Sequence, residues 1–252
     1  MAQLPVWLGR IPPVTRNLII INVLIWLVEF LTGSFGDTLE NILGLHFWGA
    51  ERFNPVQLIT YMFLHDNRSI LHIAFNMFTL WMFGRILEQV WGSRRFLIYY
   101  FVCGIGAALV QEIVWQFTWQ HEYIDSLARL NGITFSQMKA AIANAPTQAL
   151  QGMEMMKNAL LTVGASGAVF GLLLGFACVF PDMPMYLFFI PVPIKAKYMV
   201  IGYGVLEFFL GISGAQASVA HFAHLGGLLF GLIMILYWRH KGNLHGGNKF
   251  FY

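Results

Sequence analysis

Val219-Ala-His-Phe-Ala-His-Leu-Gly-Gly-Leu-Leu-Phe-Gly-Leu-Ile-Met-Ile-Leu-Tyr-Trp238 runs for 20 residues without an Asp, Glu, Lys or Arg. At about 1.5 Å per residue, a helix of that length spans about 30 Å, the thickness of a bilayer's hydrocarbon core. Five more apolar runs precede it: about Leu18 to Leu31, Ser69 to Val90, Phe96 to Trp115, Ala159 to Phe180 and Tyr198 to Gly214. Of the 252 residues, 58% are hydrophobic and only 11% charged, whereas a soluble domain is about a quarter charged. One water-soluble core of this size cannot cover 23 Phe, eight Trp and twelve Met without exposing large apolar patches. The sequence therefore predicts an all-α integral membrane protein, a six-transmembrane helical bundle with no room for a separate soluble domain.

Charge gives the orientation. With the N-terminus inside, Arg10, Arg16, Arg85, Arg94, Arg95, Lys195, Lys197, Arg239, Lys241 and Lys249 fall on the inner side, ten of the fifteen basic residues. Arg52, Arg68, Arg129, Lys139 and Lys157 fall outside. This bias predicts both termini cytoplasmic. Arg10 and Arg16 before the first run, with Thr32, Gly33 and Ser34 after it, also fit a signal peptide, but an even number of spans sorts the basic residues better. The expected plan is a cytoplasmic segment 1–16, a six-span core 17–238 with outer loops at about 32–67 and 116–158, and a cytoplasmic tail 239–252. No internal repeat is visible, which argues against an inverted-repeat transporter. The net charge of +3 forms no long basic run with interleaved aromatics, so nucleic acid is excluded as an expected partner. Cys103 and Cys178 lie in apolar runs and read as small hydrophobes rather than a disulfide.

In the first loop, the patch Leu43, Leu45, Phe47 and Trp48 is expected to lie partly in the membrane interface. In the second, Thr134 to Ile142 reads as a short helix ended before Pro146, and Met153, Met155 and Met156 as part of a helix resting on the bilayer.

Polar side chains inside a span are costly and are functional candidates by default. His72 and Asn76, four residues apart, share one face near the outer start of the second run. Ser166 lies about two turns into the fourth run, within Gly164-Ala-Ser-Gly-Ala-Val-Phe-Gly171, and His224 about a turn and a half into the sixth. These three runs all pass from outside to inside, so the four side chains reach similar depth. Each alone has a plainer reading: Ser166 as small-residue packing, the others as interhelical hydrogen bonding. Together they suggest chemistry. A serine needs a base to take its proton, and neutral imidazole is suited to that near neutral pH. Ser166 and His224 make a minimal dyad; no Asp lies in any span to complete a Ser-His-Asp set. His72, Asn76 and the Ser166 backbone N–H supply donors for an oxyanion. Gly227 and Gly231 strip bulk from the His224 face, and Phe170 is placed to floor the site.

These residues resemble the rhomboid family of intramembrane serine proteases. Gly164-Ala-Ser-Gly167 resembles its GxSG nucleophile motif, Ala220 to Gly227 its catalytic-histidine helix, and His72-Ile-Ala-Phe-Asn76 its HxxxN oxyanion pair. Gly84, Glu88 and Gly92 recur at family-like spacing. The family pattern of glycines three and seven residues after the histidine selects His224 as the base, with Gly227 and Gly231, and leaves His221 as a rim residue. His65 resembles a recurring histidine with a structural role. The match departs at three places: there is no Trp-Arg pair to brace the first outer loop, Phe170 stands where many relatives have Tyr, and residues 116–158 carry no recognised motif. The resemblance implies a rhomboid-type fold and hydrolysis of single-pass membrane-protein substrates in the lipid bilayer, without metal or cofactor. The substrate helix would enter beside the fifth span. The expected location is a bacterial cytoplasmic membrane, with the active site towards the outer face.

Two rival readings fit parts of the same pattern. One is a proteolytically inactive rhomboid-like protein that binds membrane helices, a class that normally lacks the serine or histidine. The other is a haem- or metal-binding membrane protein using His65, His72, His221 and His224. Among acids in the apolar runs, Glu29 and Glu112 read as interfacial, and Glu207 as a protonated or paired packing residue with substrate gating as the lesser possibility.

Overall fold

Pro13 stands at the first helical position, where its missing N–H leaves nothing unpaired and its fixed φ suits the helix. From it α1 runs over Pro13–Thr32. The computed structural model describes residues 11–144, 146–187, 190–213 and 220–242. Arg10 and Lys249, and the run ends at Gly214 and Val219, lie outside them. After α1 come α2 (Ser34–Leu43), β1 (Leu45–His46), a short α3 (Gln57–Thr60) and α4 (Ile70–Thr79). A π-helical turn at Leu80–Gly84 carries α4 into α5 (Arg85–Trp91). Next are α6 (Ser93–Asn131), α7 (Phe135–Asn144), α8 (Pro146–Ala159), β2 (Leu161–Thr162) and α9 (Ser166–Val179). The antiparallel strands β3 (Pro184–Leu187) and β4 (Ile190–Lys195) precede α10 (Ala196–Ser213) and α11 (His221–His240).

Among the described residues, five helical stretches are long and apolar enough to cross a membrane: Pro13–Thr32, Ile70–Trp91, Ser93–Asn131, Ala196–Ser213 and His221–His240. Their outward faces carry exposed Leu24, Leu31, Ile201, Phe209, Leu229 and Ile233, the reverse of a soluble helix. The sixth apolar helix, α9, has 14 residues and reaches only about 21 Å. It packs between α6 and α11 with Ala168, Leu172 and Phe176 buried, so protein rather than lipid surrounds it. A Cβ on Gly227 would run into the Gly167 carbonyl, and one on Gly171 into the Cys103 side chain. The backbones of α9 and α11 therefore touch, as small residues allow in membrane bundles. Cys103 is buried and Cys178 half-buried, both as free thiols.

The fourth apolar run starts later than its composition predicts. Leu161 and Thr162 pair antiparallel with His46 and Leu45, and the Gly164 N–H bonds the Tyr61 carbonyl at 2.9 Å. A strand at Leu161–Thr162 thus replaces helix, which begins only at Ser166. The third run, expected to end near Trp115, continues in α6 to Asn131. Its extension packs Ile124 and Ala128 against Met138 of α7, the helix expected between Thr134 and Ile142. Tyr123 occupies the space beside Gly152 of α8, and Lys157 lies 5.2 Å from the Trp119 ring. Met155 is exposed, with Met153 and Met156 half-buried; α8 is held by α6.

Buried carboxylates tie the helices to one another and to the loops. Glu88 accepts from the Val14 N–H (3.0 Å), the Thr15 N–H (2.7 Å), the Thr15 hydroxyl (2.8 Å) and the Ser93 hydroxyl (2.7 Å). It caps the start of α1, whose first N–H groups have no helical acceptor, and ties it to the α5–α6 turn. Glu29 and Glu112 are buried rather than interfacial. Glu29 takes the His65 N–H at 3.4 Å, and Glu112 the Trp48 N–H at 2.7 Å. Of the expected interfacial patch, Leu45 and Phe47 are buried within the protein, Leu43 is half-buried and Trp48 stays exposed. On the β3–β4 side, Asp182 lies 3.0 Å from both Lys195 and Lys197, whose ammonium groups hold its carboxyl below the usual range.

Candidate active site

Gly164 adopts φ 127°, a conformation open chiefly to glycine. Two residues on, Ser166 is the first residue of α9, not two turns inside it. The Ser166 and Gly167 amides accordingly belong to the first turn, where N–H groups have no intrahelical partner. His224 lies in the first turn of α11, shallower than the sequence suggests. Its Nε2 is 2.8 Å from Ser166 Oγ. Phe170, one turn along α9, stacks beneath the imidazole at 4.3 Å between centroids and 6° between planes. Tyr203 of α10 meets Phe170 edge-on at 6.4 Å.

His72 and Asn76 lie on α4 beside this pair. The Asp66 N–H donates to His72 Nδ1 at 3.3 Å, which assigns the ring proton to Nε2. That Nε2 faces Gly164: a Cβ there would sit 2.9 Å from it and 3.7 Å from Ser166 Oγ. One N–H of the buried Asn76 amide bonds the His72 carbonyl at 2.9 Å; a side-chain amide carries two. Ser166, His224, His72 and Asn76 all line one cavity of about 940 Å³. Its walls are Phe75 and Phe78 of α4 on one side and Met199 and Tyr203 of α10 on the other, with Asp66 and Arg68 at the rim. His65 packs edge-on to His72 at 5.2 Å, and burial pushes its imidazole down to about 3.

Glu207, expected as a protonated or paired packing residue, is paired, and its partners are the two histidines of α11. From α10, its Oε2 takes a hydrogen bond from His221 Nδ1 at 2.6 Å and lies 3.0 Å from His224 Nδ1. His221 is buried, not a rim residue. The available signal was the presence of a carboxylate in mid-span, which needs a partner, and two histidines three residues apart on one helix face. Glu207, His221 and His224 have donor atoms within 4.8 Å of one another and could hold a metal ion. As arranged, the contacts are those of hydrogen bonding, closer than the roughly 3.3 Å between ligand atoms around a tetrahedral zinc. The rival four-histidine set is split into two pairs, His65 with His72 and His221 with His224.

The Rhomboid domain family matches residues 52–241, about three quarters of the chain and all of the side chains just described. The chain belongs to the rhomboid family. It is 26% identical over 239 residues to the rhomboid protease AarA of Providencia stuartii, covering 88% of this chain and 72% of that one. Two similar proteins come from Arabidopsis thaliana. Rhomboid-like protein 11, chloroplastic, is 25% identical over 200 residues, and rhomboid-like protein 15 is 33% identical over 91. The matches span 51% and 22% of those two proteins. As a rhomboid, the chain is a multi-pass helical membrane protein, in a family that includes serine intramembrane proteases and inactive rhomboid-like proteins. In this rhomboid, whose first long loop has no Trp-Arg pair, Gln57 braces that loop. It accepts from the His46 and Asn54 N–H groups (3.3 and 3.1 Å) and donates to the Ile42 and Arg52 carbonyls (both 3.0 Å).

Proposed function

We propose that this rhomboid is an intramembrane serine endopeptidase that cleaves single-pass membrane proteins in or near their spanning segment. The observation that carries the reading is the 2.8 Å contact between Ser166 Oγ and His224 Nε2 on the wall of the cavity. In the reaction, Oγ attacks the scissile carbonyl carbon as its proton passes to Nε2. The resulting oxyanion lies among the Ser166 N–H, the His72 Nε2–H and the Asn76 amide. His224 then returns the proton to the leaving nitrogen as the C–N bond breaks. Water, deprotonated by the same Nε2, attacks the acyl ester, releasing the new carboxylate and restoring Ser166. Phe170 keeps the imidazole in plane, and the closeness of Gly227 to Gly167 brings α11 within reach of α9. The substrate helix enters between α4 and α10, from an inner bacterial membrane with the site facing outwards.

Both dyad residues are present and in contact, which favours a protease over an inactive helix-binding relative. The test is labelling by a fluorophosphonate probe in detergent, paired with cleavage of a single-span substrate. Wild type should label, and Ser166→Ala and His224→Ala should neither label nor cleave. Asn76→Ala should slow cleavage by about 10²-fold, the usual cost of one oxyanion donor. Labelling that persists in Ser166→Ala overturns the assignment.

A further inference from the structure

The steps above leave unused a carboxylate that lies directly behind the base. We propose that Glu207 is the positioning residue of His224, holding its proton on Nδ1 so that Nε2 stays open to Ser166, with His221 fixing the carboxylate in place. The inference rests on the serine-protease reading and extends its dyad to a Ser166–His224–Glu207 relay.

The argument begins with the tautomer. Nε2 can take the serine proton only if the ring's single proton is on Nδ1. An Nδ1–H in a buried site needs an acceptor, and the Nδ1 of His224 is shielded from solvent. The Glu207 Oε2 atom is 3.0 Å away, near enough to accept, although its direction falls short of a formed hydrogen bond. Catalytic contacts are often misaligned before substrate binds and tighten in the reacting complex. His221 supplies the second point of support. Its Nδ1 reaches the same carboxylate oxygen at 2.6 Å, so α11 presents two imidazoles to one oxygen from α10. When His224 becomes imidazolium in the tetrahedral intermediate, the nearby carboxylate balances a charge that has little water to solvate it. A purely structural bond between α10 and α11 would require His221 and Glu207 alone; the approach of His224 to the same oxygen is what the relay explains.

The experiment measures fluorophosphonate acylation, kcat and KM on the full chain, with the thermal midpoint as a check of folding. Glu207→Gln should lower acylation rate and kcat by about 10²-fold or more, with KM within about twofold of wild type. Glu207→Asp should recover part of that loss. His221→Leu, which frees the carboxylate on one side, should lower kcat about tenfold, and decides the matter if the Glu207 variants do not fold. Unchanged kcat in folded Glu207→Gln or His221→Leu, a change in KM alone, or a Glu207→Asp no faster than Glu207→Gln overturns the relay. If wild type itself fails to label at Ser166, the protease reading falls and takes the relay with it. Normal labelling of wild type with equal labelling of Glu207→Gln removes the relay only.

Discussion

At Gly164 the backbone takes φ 127°, and a Cβ would press on the His72 imidazole at 2.9 Å. Gly164→Ala should therefore displace Ser166 or His72 by a fraction of an ångström and lower cleavage by about 10²-fold, the scale expected when reacting groups lose alignment. Cleavage rate against thermal midpoint separates this from unfolding. His65 makes a different prediction. Its native imidazole resists protonation down to about 3, from an ordinary value of 6.5, because burial penalises the charged form. Between those values the unfolded chain binds the proton and the native one does not. Stability from this residue is thus fully present above about pH 6.5 and is lost by about 1.4 kcal/mol per unit as pH falls towards 3. Thermal midpoints in detergent from pH 7 to pH 4 should show the slope, and His65→Gln should flatten it; an unaltered slope refutes the assignment.

Between elements, the buried Glu88 carboxylate holds α1 to the α5–α6 turn through four hydrogen bonds. Removing it strands the two buried Thr15 donors, each costing about 1–3 kcal/mol, while the part-buried Val14 and Ser93 donors lose less. Glu88→Ala should destabilise the protein by about 3–5 kcal/mol, read as a lowered midpoint without a change in the fluorophosphonate rate of the folded fraction. At the α9–α11 crossing, Gly227→Val would force the helices apart, since a Cβ already meets the Gly167 carbonyl. The apolar runs were legible as helices because lipid leaves the backbone no other partner than itself. Their ends were not. Leu45 and His46 pair with residues more than a hundred positions away, and this long-range pairing, absent from any local pattern, delays the start of α9 to Ser166. Glu29 and Glu112 are buried for a related reason: their hydrogen-bond donors, the N–H groups of His65 and Trp48, arrive from loops.

For the molecule as a whole, α10 packs mainly on α11 and α9, and the cavity separates it from α4. The charge bias predicts opposite sides for the first outer loop and the β3–β4 strands. In right-side-out vesicles, with Cys178→Ala as background, an impermeant maleimide should label Glu51→Cys directly and Asp182→Cys only after permeabilisation; both positions are exposed. Labelling of both before permeabilisation refutes the proposed topology.

The sequence by itself determined the membrane setting and the order of the helices, because hydropathy and charge act locally and lipid punishes every unpaired polar group. It also singled out Ser166, His224, His72 and Asn76, since polar side chains are conspicuous where charge is scarce. Tertiary structure decided what those groups touch. The depth of Ser166 follows from a strand pairing and one glycine angle, and the place of Glu207 from how α10 leans on α11. Hydrogen bonds are set by ångströms between distant segments, a scale that no pattern along a single helix encodes.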